Sequence, residues 1–372
     1  MPRWSKITLK IFGVLVALVL LIFVGLAAYV NANKKSLLVT VNQQLNKNLT
    51  GSLKIGSMEP TFLKGFPGVS LRLNDVIIRD SLWQGHKHSL LEAKDLEVSV
   101  NALALLTGTI QIKKIGINNA TIYLYTDSNG YSNTSIFKKK DKTKPAPKEK
   151  GDSDMEIRKF TLNNVNFVMD NKKGNKLFQF VVDDLTGNID YSWSDWEADI
   201  KLKAFAKSLA FNTKRGSFIK NQVLEGPFKL TFDADSGVIT VAPNKLNIGK
   251  NPFVIGARFD TSKENTDFAI SIKANQIQWK DAASLLAPNI SSRLNMFDFQ
   301  KPIDVVCTIA GNMGPGGDPE INVNALIKDN VLTTPGGVVE QCNFTGIFTN
   351  NYAKGQGLTD ANSAVKLLGF KG

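Results

Sequence analysis

The chain has 372 residues, of which 43% are hydrophobic and 21% charged, and a formal net charge of +12. This composition excludes a disordered protein, and the length allows a sizeable core in one or two domains. Much of the positive charge lies in one lysine run without interleaved aromatic residues, so the charge does not indicate nucleic-acid binding.

An uncharged stretch of largely apolar residues covers 11–33, after a basic N-terminus at 1–10. About 20 apolar residues suffice for a helix to cross the roughly 30 Å hydrocarbon core of a bilayer. The sequence therefore predicts a single-pass signal anchor over 11–33. The positive-inside rule places 1–10 in the cytoplasm, although Lys34 and Lys35 reduce the charge asymmetry. The alternative, a cleavable signal peptide, is disfavoured because the apolar run is too long.

An amphipathic helix is predicted directly after the span. Leu37, Val41, Leu45 and Leu49 recur every four residues, as on one face of a helix. Gly51 follows the last of them, and glycine is the residue type that most often ends a helix. We therefore expect the helix to end at about this glycine.

One sequence pattern occurs three times, at 73–78, 117–122 and 162–167, with steps of 44 and 45 residues. Each copy has Asn-Asp or Asn-Asn between short runs that alternate apolar and polar residues, which we interpret as a tight turn between two strands. A basic pair precedes the second and third copies, at 113–114 and 158–159. A fixed period of this size indicates repeated β units.

A weaker repeat has the same period. Residues 93–100 match residues 182–189, and the step of 89 residues equals two periods. Between the repeats lies a run with seven lysines, Lys138 to Lys150. Such a run is typical of a solvated flexible linker, predicted here over 138–153, and it offers contact with anionic lipid headgroups as an alternative.

Most of the remaining sequence predicts β-strands with one apolar face. Apolar residues recur at every second position, as at Phe228, Leu230 and Phe232, and polar residues lie between them. Strands of this kind in series predict an antiparallel sheet, whose apolar face can be covered by a second sheet, by barrel closure or by curling into a groove. The scarcity of long amphipathic helices favours curling. Short helices are predicted at 280–287, before Pro288, and at 291–297.

No catalytic, cofactor-binding or metal-binding constellation is found in the sequence. The two histidines, His86 and His88, lie in WQGHKHS without further ligands, and we interpret this segment as a polar loop. Cys307 and Cys342 each share a strand face with apolar residues. If 303–311, 320–328 and 338–348 form a meander, one strand separates the cysteines by about 9.5 Å, too far for a disulfide. Both are interpreted as small buried apolar residues, and the protein is predicted not to be an enzyme.

The N-terminal part resembles the AsmA family. The residues that carry the resemblance are the signal anchor, Thr50-Gly51 at the helix end, Asn74-Asp75, the Leu-Leu-x-Gly-x-Ile-x-Ile segment ending at Ile112, and the spacing of Asp127, Gly130 and Asn133. The match covers about residues 8–137 and is diffuse beyond, although the C-terminal tail also looks like family repeats of shorter bacteroidete members. The resemblance implies a protein of Gram-negative bacteria that is anchored in the inner membrane, extends into the periplasm and takes part in outer-membrane biogenesis.

The resulting expectation is a mainly β protein. A transmembrane helix (11–33) precedes an AsmA-like helix and the first β-groove units (34–137), the linker (138–153), and further β-groove repeats over 154–372, complete or truncated at the C-terminus. The groove is a curved antiparallel sheet of ~45-residue repeats with few short helices. No cofactor is expected. The expected partners are phospholipids, the inner membrane and outer-membrane or periplasmic proteins, without nucleic acid.

The resemblance implies that phospholipid is the ligand, and the predicted function is to bind or conduct its acyl chains along the apolar groove. The alternative is a structural or assembly factor that binds proteins through an exposed sheet edge. The groove residues are predicted from the repeat and from strand alternation. They are Ile110, Ile112, Ile115, Ile117, Ile122, Leu124, Phe160, Leu162, Phe167, Met169, Phe178 and Phe180.

Overall fold

A computed structural model describes the protein at residues 38–39, 46, 49–61, 69–100, 112–137, 157–263, 265–286, 288–314 and 318–372. The predicted transmembrane segment (11–33), the linker (138–153), Ile110 and most of the amphipathic helix lie outside these residues. No helix among the residues described is both long and apolar enough to cross a membrane.

The described chain is mainly β, as predicted, and its seventeen strands form one open sheet. The strands are β1 (Gly51–Lys54), β2 (Ser57–Thr61), β3 (Val69–Asp80), β4 (Leu91–Val100), β5 (Ile112–Thr126), β6 (Lys159–Asn171), β7 (Lys176–Ser192), β8 (Asp195–Ala210), β9 (Gln222–Asp233), β10 (Val238–Ile248), β11 (Asn251–Asp260), β12 (Asp267–Ile277), β13 (Asp298–Phe299), β14 (Ile303–Asn312), β15 (Glu320–Thr334), β16 (Gly337–Thr349) and β17 (Ala364–Lys371).

Helices are few and short, also as predicted. The α-helices are α1 (Trp83–His86), α2 (Trp279–Leu285) and α3 (Pro288–Leu294), and two 3-10 helices cover Asn133–Ile136 and Asp360–Asn362. The sequence predicted α2 to within two residues at each end. It placed α3 about three residues too late, because the helix begins at Pro288 itself, a residue well suited to the first helical turn.

Strand order follows chain order along most of the sheet. β3 to β12 pair successively, β12 pairs with β14, and β14 to β17 again pair successively. β1 and β2 both pair with β3, and β13 pairs with β15. Among the described strands the pairings are antiparallel except β5–β6, which is parallel. β15 lies between the two cysteine strands, so the meander predicted for them is confirmed.

The 45-residue repeat corresponds to the parallel pairing of β5 with β6. Lys114 of β5 lies beside Lys159 of β6, and the same offset of 45 holds along the pair to Thr126 and Asn171. The second and third copies are therefore neighbouring strands in register. The weaker repeat occupies the strands that flank this pair, β4 and β7.

The interpretation of Asn-Asn as a turn between two strands was wrong. Asp75, Asn119 and Asn164 lie inside β3, β5 and β6, with φ of 52°, 50° and 53°. Asn and Asp tolerate this left-handed conformation better than other non-glycine residues. The conformation resets the alternation of side chains, so that Ile117 and Ala120, three residues apart, pack in the same core.

Asparagine side chains join these positions across strands. Asn118 Nδ2 donates to Asp95 Oδ1 at 2.9 Å, and Asn163 Nδ2 donates to Asn118 Oδ1 at 2.9 Å. Asn164 Nδ2 donates to Asn119 Oδ1 at 2.7 Å. The repeated asparagines therefore hold β4, β5 and β6 in register on the polar side of the sheet.

Three hydrophobic clusters form the core of the described residues, and the third is built around Phe211, Phe268 and Ile309. The first extends from the β1–β2 region to β8, and Leu38 packs against it. The second lies under β9 to β16, where Leu285 of α2 is buried and Trp279 packs alongside. The apolar face is thus covered by a helix in the second half of the sheet.

Candidate functional site: the apolar sheet face

The candidate site is the apolar face of β3 to β8, where residues of similar size form rows across the strands. A central row has small side chains, and a row of larger ones lies on each side of it. The central row is Val76, Ala93, Ala120, Val165, Val182 and Ala204. The flanking rows are Leu73, Leu96, Ile117, Leu162, Leu185 and Leu202, and Ile78, Leu91, Ile122, Phe167, Phe180 and Ala206.

Burial differs between these rows. Every residue of the central row is buried, down to complete burial at Val165, whereas most large residues of the flanking rows are half-buried. In β3, β5 and β6 the central-row residue (Val76, Ala120 or Val165) comes directly after the residue with the left-handed conformation. The small residues therefore form the floor of the apolar face, and the larger ones present its exposed surface.

The eleven predicted groove residues that the structure describes come together on this face. Ile112, Ile117, Ile122, Leu162 and Phe180 pack against the first cluster. Phe167 lies in the flanking row of Ile122, and the other five extend the same face by two further rows. One row contains Ile115 and Phe160, and the other contains Leu124, Met169 and Phe178.

Four of the predicted residues line an open depression of the sheet surface, called the cavity below, of about 250 Å³ at the start of β5 and β6. Its lining is almost wholly apolar. The lining residues are Ile115, Ile117, Ile157, Phe160, Thr161, Leu162, Ile189 and Tyr191. The volume is close to the lower limit of about 300 Å³ for small-molecule pockets. This cavity can take an apolar chain, but it offers few hydrogen-bonding groups to a polar molecule.

Gly187 of β7 makes room for one wall of the cavity. A methyl group on this glycine would lie 2.2 Å from Cε1 and Cζ of Phe160. The missing side chain therefore lets the Phe160 ring lie over the backbone of β7. Tyr191 closes the same side, and its hydroxyl donates to the carbonyl of Ile157 at 3.2 Å.

The opposite face carries a cluster of polar aromatic residues that the sequence did not predict. His88 stacks on Tyr123 with ring centroids 4.3 Å apart, and His86 Nε2 lies 3.1 Å from Asp80 Oδ2. Tyr131 also donates to Asp80 Oδ2, at 2.6 Å. The segment interpreted as a polar loop is instead the one-turn helix α1 and a histidine pair packed against the sheet.

Electrostatics in this cluster follow from burial and hydrogen bonding. Burial opposes ionisation of Asp80, but the bonds from Tyr131 and His86 outweigh it and lower the pKa of the carboxyl. Burial and the neighbouring His86 lower the pKa of His88. Burial and the Asp170 carboxylate raise the pKa of Tyr123 to about 12. Within the described part of the chain, no group of three or more His, Cys, Asp or Glu side chains is placed to hold a metal ion.

Asn133 holds the segment that directly follows β5 against that strand. Asn133 is fully buried, accepts from Tyr125 N at 2.9 Å and donates to the carbonyl of Tyr123 at 2.7 Å. Downstream, Ile136 O accepts from Thr50 N at 2.7 Å. The motif residues Thr50 and Asn133 therefore tie the N-terminal segment, β5 and the 3-10 helix together, a structural role.

The cysteines lie on the apolar side, as predicted. Cys342 is fully buried in the second cluster, and Cys307 is half-buried beside Ile272. Burial raises the pKa of the Cys307 thiol to about 11. Both residues pack as small apolar side chains.

Comparison with known protein families gives a match. The sequence model described as "AsmA family" matches residues 1–288, more than half of the chain and well beyond residue 137. Neither the curated proteins nor the solved structures contain a match.

Proposed function

The chain belongs to the AsmA family, and we propose that it is an inner-membrane-anchored protein of the bacterial periplasm that binds phospholipid acyl chains along its apolar sheet face. Family membership suggests a periplasmic role in lipid handling or outer-membrane biogenesis. The proposed role is non-enzymatic. The observation that carries it is the apolar cavity beside Phe160, which brings together four of the residues that the repeat predicted.

The dimensions of the face support an acyl chain lying across the strands. The small-residue floor crosses six strands, and five strand spacings of roughly 4.8 Å give a length of about 24 Å. One leaflet of a bilayer contributes about half of a hydrocarbon core of about 30 Å. The face is therefore longer than the depth that an acyl chain occupies in a leaflet. Burying that chain against half-exposed Ile, Leu and Phe side chains is favourable at about 25 cal/mol per Å² of apolar surface.

Site-specific photocrosslinking tests this proposal without a charge in the core. Benzoyl-phenylalanine would replace Phe160 or Phe167 in the full chain, in cells with radiolabelled phospholipid. Asn166, next to Phe167 but on the opposite face, is the matched control. We expect labelled phospholipid crosslinks from Phe160 and Phe167 and none from Asn166. Equal crosslinking at all three positions, or none at either phenylalanine, would contradict the proposal.

The proposed location has its own test. A basic N-terminus before an apolar span favours a cytoplasmic N-terminus and a periplasmic chain after residue 35. A reporter enzyme that is active only in the periplasm should be active when fused after Gly372. Activity of a reporter restricted to the cytoplasm at the same position would reverse the assignment.

An assembly role remains a second candidate because of the exposed strand β17. Its apolar side chains are strongly exposed, with 70% exposure at Val365, 51% at Leu368 and 45% at Phe370. Among the described strands, β17 pairs only with β16. A strand of this kind can accept a strand from a partner protein. Benzoyl-phenylalanine at Leu368 in the same experiment separates the two roles, because a protein factor would give protein crosslinks from β17 and Phe160 would give no lipid crosslink.

A further inference from the structure

The loop between β8 and β9 forms a short hairpin that folds back against the sheet. Phe218 N on its second arm donates to the carbonyl of Leu209 at 2.9 Å, which closes the hairpin at its base. Phe211 at the start of the loop is only 3% exposed, whereas the tip at 213–214 is exposed. We call residues 211–219 the hairpin plug.

The plug lies where the apolar faces of the two halves of the sheet meet. The Phe211 ring meets Phe178 of β7 edge-on, with centroids 5.2 Å apart, and stacks on Phe268 of β12 at 5.6 Å. Phe178 belongs to an outer row of the candidate site, and Phe268 belongs to the third hydrophobic cluster. Phe218 contacts the Phe211 ring at 5.7 Å and packs against the same cluster. The two phenylalanines of the plug therefore fill the junction between the halves.

Polar contacts join the plug to two connections of the second half. Asn212 Nδ2 donates to Asp318 Oδ1 at 2.8 Å, and Arg215 Nη2 lies 3.5 Å from Asp318 Oδ2. Arg215 Nη1 donates to the carbonyl of Leu358 at 3.0 Å and lies 3.8 Å from Asp360 Oδ1. The Asp360 side chain is 83% exposed, and exposed ion pairs contribute little to stability. The plug is therefore held mainly by the burial of its phenylalanines.

An acyl chain can make the same kind of contact as these phenylalanines. Apolar burial is non-directional, so methylene groups can take the place of an aromatic ring against an apolar surface. The cluster beneath the plug is built from β11, β12, β14 and β15. Its apolar side chains include Phe259, Phe268, Ile270, Cys307, Ile309 and Ile321. Displacement of the plug by an acyl chain would therefore exchange one apolar contact for another.

We propose that the hairpin plug closes a second acyl-chain site, formed by the cluster around Phe268 and Ile309, and that this site admits lipid when the plug swings away. This inference rests on the proposed function and adds regulation to it. The first half of the apolar face is open to lipid, whereas the second half is closed by a segment of the same chain. The junction between Phe178 and Phe268 is then the point that controls passage of an acyl chain along the sheet.

The competing explanation is that the plug is a permanent part of the core. Phe211 would then pack like any buried side chain, and its removal would leave a cavity or unfold the second half. Lipid would not enter in either case. The two explanations differ in whether phospholipid reaches the cluster once the plug is weakened.

The test uses photocrosslinking from benzoyl-phenylalanine at Phe259 of the full chain, in cells with radiolabelled phospholipid. Phe259 packs against the cluster from β11 and is half-buried. The native phenylalanine also resembles the probe, so the substitution is mild. The same probe at Phe160 reports on the first half of the apolar face in parallel.

Three changes to the plug are compared with wild type. Phe211→Ser with Phe218→Ser removes the apolar contacts of the plug. Arg215→Gln removes only the ionic contacts to the second half. The matched control is Thr213→Ser with Lys214→Ser, which alters the exposed tip alone.

Labelled phospholipid at Phe259 should be scarce in wild type and in the control. The double serine variant should increase it at least about tenfold, because the closed state loses most of its apolar burial. Arg215→Gln should increase it about twofold to fivefold, the range that an exposed ion pair provides. Crosslinking from Phe160 should be the same in all four proteins.

Equal labelling at Phe259 in all four proteins would overturn the inference, because the plug would then control nothing. Labelling from Phe160 with none from Phe259 in any protein would also overturn it, and the acyl-chain proposal would stand. Absence of labelling at both positions would overturn both. Arg215→Gln leaves the apolar contacts in place, so its result decides the question if melting temperatures show that the double serine variant does not fold.

Discussion

Replacing Gly187 by alanine tests whether the Phe160 ring shapes the cavity. The added methyl group would lie 2.2 Å from two ring carbons, whereas ordinary contacts lie at 3.4–4 Å. The ring must therefore move by more than about 1 Å, and its new position changes the cavity wall. Overpacking of this kind costs about 1–3 kcal/mol. Backbone strain does not contribute, because Gly187 does not have a positive φ.

The assay is thermal unfolding of the full chain in mild detergent, together with phospholipid bound per protein after extraction. Gly187→Ala should lower both the melting temperature and the bound phospholipid. Gly346→Ala is the matched control, because this strand glycine also faces a phenylalanine, with Phe344 Cε2 at an ordinary 3.5 Å from the new methyl group. It should leave both quantities nearly unchanged.

A second substitution tests whether the clash with Phe160 causes the loss of stability in Gly187→Ala. Adding Phe160→Leu to Gly187→Ala shortens the side chain that clashes, so stability should recover at least in part. If Gly187→Ala is as stable as wild type, or if Phe160→Leu worsens it, the assigned contact between the ring and β7 is incorrect. If stability falls but bound phospholipid does not, the lipid lies outside this cavity.

Three further predictions concern other parts of the sheet. Asn164→Val should destabilise the protein by about 1–2 kcal/mol in urea unfolding, because φ is +53° there and the bond to Asn119 is lost, whereas Asn164→Gly should be milder. The pKa of His88 is lowered in the folded protein, so the unfolded chain binds more protons. Neutral His88 therefore contributes stability above about pH 6.5, and this stability is lost as the pH falls. In melting temperatures measured from pH 7.5 to 5, the His88→Asn variant should lose less stability than wild type. Iodoacetamide should modify Cys307 and Cys342 much more slowly in the native protein than in urea, and equal rates would contradict their burial.

Strand faces were predictable from the sequence because burial on one side imposes a two-residue period. Phe268, Ile270 and Ile272 pack in one cluster as their alternation predicts. The groove residues Ile117 and Ile122 were assigned to one face across an irregular spacing because the repeat showed both to be apolar in each copy. Their use in binding lipid stays a prediction, since position on a face does not identify what covers it.

The left-handed positions were only partly predictable. Three of them have Asn or Asp in a repeated context, and the sequence located them but assigned the wrong conformation. Gln276, Asp329 and Gln341 take the same conformation inside β12, β15 and β16, with φ of 54°, 42° and 54°. Glutamine is not typical of this region, so composition gives no signal there. The polar aromatic cluster was missed for a related reason, since His88 and Tyr123 are 35 residues apart and only the strand pairing brings them together.

The parallel pairing of β5 and β6 determines which repeated residues can remain alike. In register, each residue lies beside its own copy, so identical apolar residues pack well and identical asparagines bond to each other, as Asn119 and Asn164 do. Identical lysines are the exception, because the same register sets Lys114 against Lys159. A requirement for packing alone would be met by a neutral residue at either position. Strand alternation places both lysines on the face opposite to Ile115 and Phe160, where Lys159 is exposed to water and the repulsion between the two charges is weakened.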